Sequence, residues 1–133
     1  QIINRFPSSK YANDSKQKII FVNENIAAKH MDIALFYSKQ NKYNAAINRY
    51  KKVIKDYSTS KFTPEALHRL VEIYYKLGMI ENANKTAAII AYNYPKSKWY
   101  KYSYDIVGEQ KEKESNFFKK LSNFLTNKDD KKE

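Results

Sequence analysis

Tyr43-Asn-Ala-Ala46-Ile-Asn-Arg49-Tyr50-Lys-Lys-Val53-Ile-Lys-Asp-Tyr57 is the stretch that decides the fold. It predicts a helix over about 45–57: at a 3.6-residue period Ala46, Ile47, Tyr50, Val53, Ile54 and Tyr57 share one face, and Asn48, Lys51 and Lys55 fall opposite. A face that broad requires a neighbouring helix. Lys39-Gln-Asn-Lys-Tyr43 before it reads as a short polar turn, and the small Ala46 lets two helices approach closely. The same arrangement returns at Lys76-Leu-Gly78-Met-Ile80-Glu-Asn-Ala83, 37 residues on from Ala46 to Ala83, so the chain repeats.

Upstream, one long helix is predicted over 11–39. Ile19, Val22, Ile26, His30, Ile33 and Tyr37 form one stripe along it, and Ile20, Ala27, Met31, Ala34 and Leu35 form a second. Two stripes supply contacts on two sides, as a helix inside a stack of hairpins needs. Before it, residues 1–6 read as the last turn of a helix ended by Pro7, and the chain as a whole reads as a fragment or processed product. Downstream, Thr63 is expected as an N-cap with Pro64 at the first helical position and Glu65 at the positive end of the dipole. Leu67, Leu70, Val71, Tyr74 and Leu77 give that helix its apolar face. Gly78 suits a left-handed C-terminal residue, and Ile80, Ala83, Ala87, Ile90, Ala91 and Tyr94 line the returning helix.

A linker pattern joins the units. Phe6-Pro-Ser-Ser9-Lys-Tyr11, Tyr57-Ser-Thr-Ser60-Lys-Phe62 and Tyr94-Pro-Lys-Ser97-Lys-Trp99 each run aromatic, two residues, Ser, Lys, aromatic. The serine is placed to cap the next helix, and Tyr11, Phe62 and Trp99 are expected to wedge between successive repeats. The fold class is therefore all-α, a tetratricopeptide-type helical-hairpin solenoid with a C-terminal amphipathic helix. The expected domain is 1–107, with units at about 11–60 and 61–97 and then a capping helix that stops near Gly108. After it come a charged linker at 108–114, an amphipathic helix at 115–126 carrying Phe117, Phe118, Leu121, Phe124 and Leu125, and a disordered tail at 127–133. For the amphipathic helix three readings stand: folding back into the groove of the superhelix, which is the default, binding a partner, or lying on a membrane surface.

Composition limits the function. Two glycines among 133 residues leave no phosphate cradle, and there is no cysteine for a disulfide or thiolate metal site. No nucleophile–base pair or His-Cys-carboxylate cluster stands in the sequence, so an enzyme is not expected, and neither is a cofactor or metal. Of the net charge of +11, residues 1–107 hold +10 (18 basic, 8 acidic) and residues 108–133 hold +1 (7 basic, 6 acidic). A basic surface with interleaved tyrosines leaves a nucleic-acid-binding helical repeat as the alternative reading, but most of the tyrosines fall at core or linker spacing.

Ala46 and Ala83 early in each second helix, with Tyr50 a turn later, resemble tetratricopeptide repeats. Phe6-Pro-Ser-Ser-Lys-Tyr11, the long helix, Ala46-Ile-Asn-Arg49-Tyr-Lys-Lys-Val-Ile-Lys-Asp-Tyr57 and Thr63-Pro64-Glu65-Ala66-Leu67 resemble the C-terminal half of the BamD family of outer-membrane assembly lipoproteins, also called ComL or YfiO. The resemblance covers about 1–107, with Ser58 in place of the proline usual in the linker. It implies a non-catalytic scaffold on the periplasmic face of the outer membrane, held there by a lipid anchor that this sequence does not contain. It also implies docking to a POTRA domain of the barrel-inserting subunit BamA, with other assembly-complex subunits as further partners. A periplasmic repeat adaptor of another pathway is the remaining alternative.

The family's docking arginine matches Arg49, which shares a helix flank with Lys52 and Asp56; these three form the expected partner-binding set. The plainer reading of Arg49 is a solvated flank residue paired within its own helix to Asp56 or a neighbour. His30 and His68 are expected to be packed between helices.

Overall fold

The computed structural model describes residues 10–129. Five helices and no strand occur among them: α1 Lys10–Lys39, α2 Tyr43–Asp56, α3 Thr63–Lys76, α4 Ile80–Asn93 and α5 Lys98–Asp129. α1 packs on α2 and α3 on α4 as two hairpins; α2 then packs on α3, and α5 lies against α3 and α4. One core runs through the stack, from Ala27, Met31 and Ala34 on α1 through Ala46, Ile47, Tyr50 and Val53 to Leu67, Leu70, Val71, Ala83 and Ile90. Ala46 and Ala83 are both fully buried, so the absence of a larger side chain is what lets each hairpin close.

The two hairpins turn by one chemistry. Asn41 (φ 61°) and Gly78 (φ 76°) both adopt the left-handed conformation. Around them the N–H of Lys42 donates to the Tyr37 carbonyl at 2.9 Å and that of Asn41 to Ser38 at 3.0 Å. In the second turn Met79 donates to Tyr74 at 2.8 Å and Gly78 to Tyr75 at 3.0 Å. These are paired Schellman closures that satisfy the last carbonyls of α1 and α3. A methyl group added at Gly78 would meet open space. Gly78→Ala is therefore expected to cost about 1–2 kcal/mol of unfolding free energy through the backbone alone, as read by urea denaturation.

The linkers also repeat in structure. Ser60 and Ser97 each donate a backbone N–H to the preceding aromatic, Tyr57 at 2.9 Å and Tyr94 at 3.1 Å. The hydroxyl of each accepts the N–H of the next aromatic, Phe62 at 3.1 Å and Trp99 at 3.2 Å. Ser97 thereby caps α5. Thr63 departs from its expected role. It is the first helical residue rather than the cap, and its hydroxyl donates back to the Tyr57 carbonyl at 3.1 Å. Glu24 of α1 clamps the first linker, accepting from the Ser60 hydroxyl at 3.0 Å and the Lys61 N–H at 3.1 Å.

Three expectations meet a different structure. Tyr11 is 79% exposed, and among the described residues no helix precedes α1 to form the second side of a wedge. Phe62 and Trp99, by contrast, are half-buried. The break at 108–114 is also absent, and α5 runs unbroken through Gly108 to Asp129. A lone glycine costs a helix only about 1 kcal/mol, and Glu109-Gln-Lys-Glu-Lys-Glu114 are strong helix formers with Glu109 and Lys113 one turn apart. Finally, the 117–125 segment does not fold back into a groove but projects with every side chain exposed, because the continuous helix carries it away from the hairpins. Of the tail, 127–129 is helical. The expected helix end at 1–6, residues 6–9 of the linker before α1 and the tail beyond 129 lie outside the described residues.

Candidate partner-docking site

Arg49 reaches across a helix interface. It lies on α2, one residue before the buried Tyr50, so the packing of that ring fixes its backbone, and its Nη1 donates to Nδ1 of His30 on α1 at 3.2 Å. The Tyr57 ring lies beside His30, with centroids 5.9 Å apart. An imidazole nitrogen that accepts a hydrogen bond carries no proton. Burial, then the Arg49 and Lys52 charges, accordingly pull the His30 pKa below its ordinary 6.5, against a smaller opposing pull from Asp56.

The expected set separates into two parts. Lys52 Nζ and Asp56 Oδ2 pair with each other at 2.7 Å, one helical turn apart, and this contact holds the Asp56 carboxyl below and the Lys52 ammonium above their usual ranges. Arg49 does not pair with Asp56. Among the described residues no carboxylate lies within ion-pair distance of it, and it is half-buried. Arg69 shows the contrast. It lines a groove of about 350 Å³ beside Tyr50, but Glu65 at 3.5 Å and Glu72 at 2.9 Å already neutralise it. A guanidinium with free donors, fixed orientation and no internal counter-charge is suited to receive a carboxylate from outside.

His30 was legible only as a packed side chain. Its role as the anchor of Arg49 joins residues 19 apart, a contact set by helix packing that spacing along one helix does not reveal. A pH dependence follows. The unfolded chain takes up a proton at His30 before the folded chain does, so its contribution to stability is present above pH 6.5 and is lost as pH falls through the depressed folded value. His30→Gln, which keeps an acceptor and cannot titrate, is expected to reduce the slope of urea-unfolding free energy between about pH 7 and 5; an unchanged slope would contradict the assignment.

His68 forms the second cross-helix node and is 5% exposed. Its Nδ1 accepts from the Ser103 hydroxyl of α5 at 2.8 Å, and its Nε2 donates to Glu72 at 3.1 Å. The ring packs on Trp99 at 5.3 Å, and Arg69 covers the same indole at 5.4 Å. This node positions α5. It is structural, and among the described residues no group of three His, Asp or Glu could hold a metal. Nor is any helix among them long and apolar enough to cross a membrane.

Comparison with known proteins follows the same residues. The YfiO family model, described as an outer membrane lipoprotein, matches residues 1–90. The outer membrane protein assembly factor BamD of Rickettsia prowazekii (strain Madrid E) is 48% identical over 106 residues, covering 80% of this chain and 42% of the relative. BamD of Caulobacter vibrioides is 40% identical over 108 residues (81% of this chain, 35% of the relative), and that of Neisseria meningitidis serogroup A is 34% identical over 97 (73% and 36%). The chain thus spans about two fifths, or less, of the length of these relatives. The family match takes in the first hairpin, the Arg49 site and most of the second hairpin, and the chain belongs to the BamD/YfiO family of outer membrane lipoproteins.

Proposed function

We propose that this chain serves outer membrane protein assembly as a non-catalytic adaptor at the periplasmic face of the membrane, docking a POTRA domain of a BamA-like subunit through Arg49 and the adjoining Lys52–Asp56 pair. The observation that carries this reading is the half-buried Arg49 guanidinium, aimed by His30 and without a carboxylate partner among the described residues. The naming of its relatives as outer membrane protein assembly factors supplies the setting. The mechanism is presentation: packed hairpins hold the guanidinium in place before the partner arrives, so little side-chain freedom is lost on binding.

A photo-crosslinking residue at Lys52, which is half exposed at 52%, is expected to capture the BamA-like subunit in cells. The same residue at Tyr92 on α4, 88% exposed, is expected not to. Capture from Tyr92 with none from Lys52 would reject the α2 surface as the dock.

A further inference from the structure

The apolar face left open on α5 has an internal symmetry. Phe117, Phe118, Leu121, Phe124 and Leu125 are 61%, 65%, 43%, 63% and 55% exposed. With a turn of about 100° per residue, all five lie within about 60° of Leu121, and so do Glu114 and Lys128. Phe118 and Phe124 stand three residues either side of Leu121, Phe117 and Leu125 four, and Glu114 and Lys128 seven. The stripe is a palindrome of apolar positions, opposite in charge at its two ends.

We propose that this face pairs with the same face of a second copy of the chain, the two helices running antiparallel about a two-fold axis at Leu121. In that register Phe117 meets Leu125, Phe118 meets Phe124 and Leu121 meets itself. Glu114 of each copy faces Lys128 of the other. A parallel pair would set Glu114 against Glu114 and Lys128 against Lys128, so charge selects the antiparallel arrangement. A lipid surface fits less well. The face away from Leu121 carries Lys119 and Lys120 among Glu112, Ser115, Asn116, Asn123, Thr126 and Asn127, rather than the Lys- and Arg-rich face of an interfacial helix, and burial in lipid would carry Glu114 with it. The contact is short and below the standard interface size, so a weak, concentration-dependent dimer is expected.

The absence of cysteine makes the test clean. Leu121→Cys is expected to give a disulfide-linked dimer on mild oxidation, and Asn116→Cys, on the polar face, is not. In sedimentation equilibrium Glu114→Lys is expected to weaken self-association of the 133-residue chain at least tenfold, and Glu114→Lys with Lys128→Glu to restore it to within about threefold, since each substitution acts twice in a symmetric pair. A chain that stays monomeric at high concentration overturns the proposal, whether it remains free or co-sediments with anionic vesicles. So does equal disulfide formation at positions 121 and 116.

Discussion

Tyr50→Ala is expected to lower the unfolding free energy by about 3–5 kcal/mol, the largest loss of any single truncation in the stack. Tyr50 is 1% exposed and is the largest of the fully buried side chains. It sits where α1, α2 and α3 meet, against Met31, Leu35, Phe62 and Arg69 around two neighbouring hollows. Removing the ring would merge space there that helices tied by their own turns cannot close. Against a total of about 5–15 kcal/mol, such a loss takes a large share of the stability. Tyr50→Phe keeps the ring and is expected to cost about 1 kcal/mol or less. The hydroxyl matters at high pH instead. Burial raises the phenol pKa above its usual 10, so its contribution is complete below pH 10 and is lost as pH rises through the folded value. Equilibrium urea denaturation of both variants checks this, and a loss below about 1 kcal/mol for Tyr50→Ala would mean that the hairpins are not held together at this point.

His68→Ala is expected to cost about 2–4 kcal/mol and to act locally. The substitution leaves the Ser103 hydroxyl, 1% exposed, without its 2.8 Å partner and strips Trp99 and Tyr102 of the ring they pack on. Amide exchange should accelerate over the first turns of α5, from Lys98 to Val107, ahead of the hairpins. His68→Leu separates the two contributions. It restores volume and not the hydrogen bonds, so a cost close to that of alanine would assign the node to its polar contacts, and a cost near zero would assign it to packing. The carboxylate on the node carries its own signature. The hydrogen bond from His68, with the hydrogen bond and charge of Arg69 behind it, holds the Glu72 carboxyl below its ordinary 4.5 despite partial burial. Its contribution is therefore present above that pH and is lost as pH falls through the folded value.

Much of the hairpin architecture was written in periodicity. The stripe from Ala46 to Tyr57, the recurrence at Ala83 and the left-handed Gly78 all act within one helix or one turn, where spacing determines geometry. Asn41 escaped notice because asparagine enters the left-handed region less conspicuously than glycine, although it stands 37 residues before Gly78 at the same point of its hairpin. The continuity of α5 was hidden by Gly108, a local signal outweighed by the helix formers around it. The stripe on its distal half was legible, but its direction was not, since a continuous helix carries its end wherever its beginning is docked. At the site, Arg49 could be placed on a flank, and its resemblance to a family contact suggested the role proposed for it. Its anchor could not be placed: His30 meets it only because α1 and α2 pack in one register.

The most direct measurement is calorimetric titration of the isolated last POTRA domain of the cognate BamA into this chain and into its Arg49→Glu variant. The account predicts binding that the substitution weakens at least tenfold, the equivalent of about 1.4 kcal/mol or more, with the helical circular dichroism unchanged, because Arg49 contributes to the surface and not to the core. Absence of binding by the folded chain, or equal binding by the variant, would contradict it.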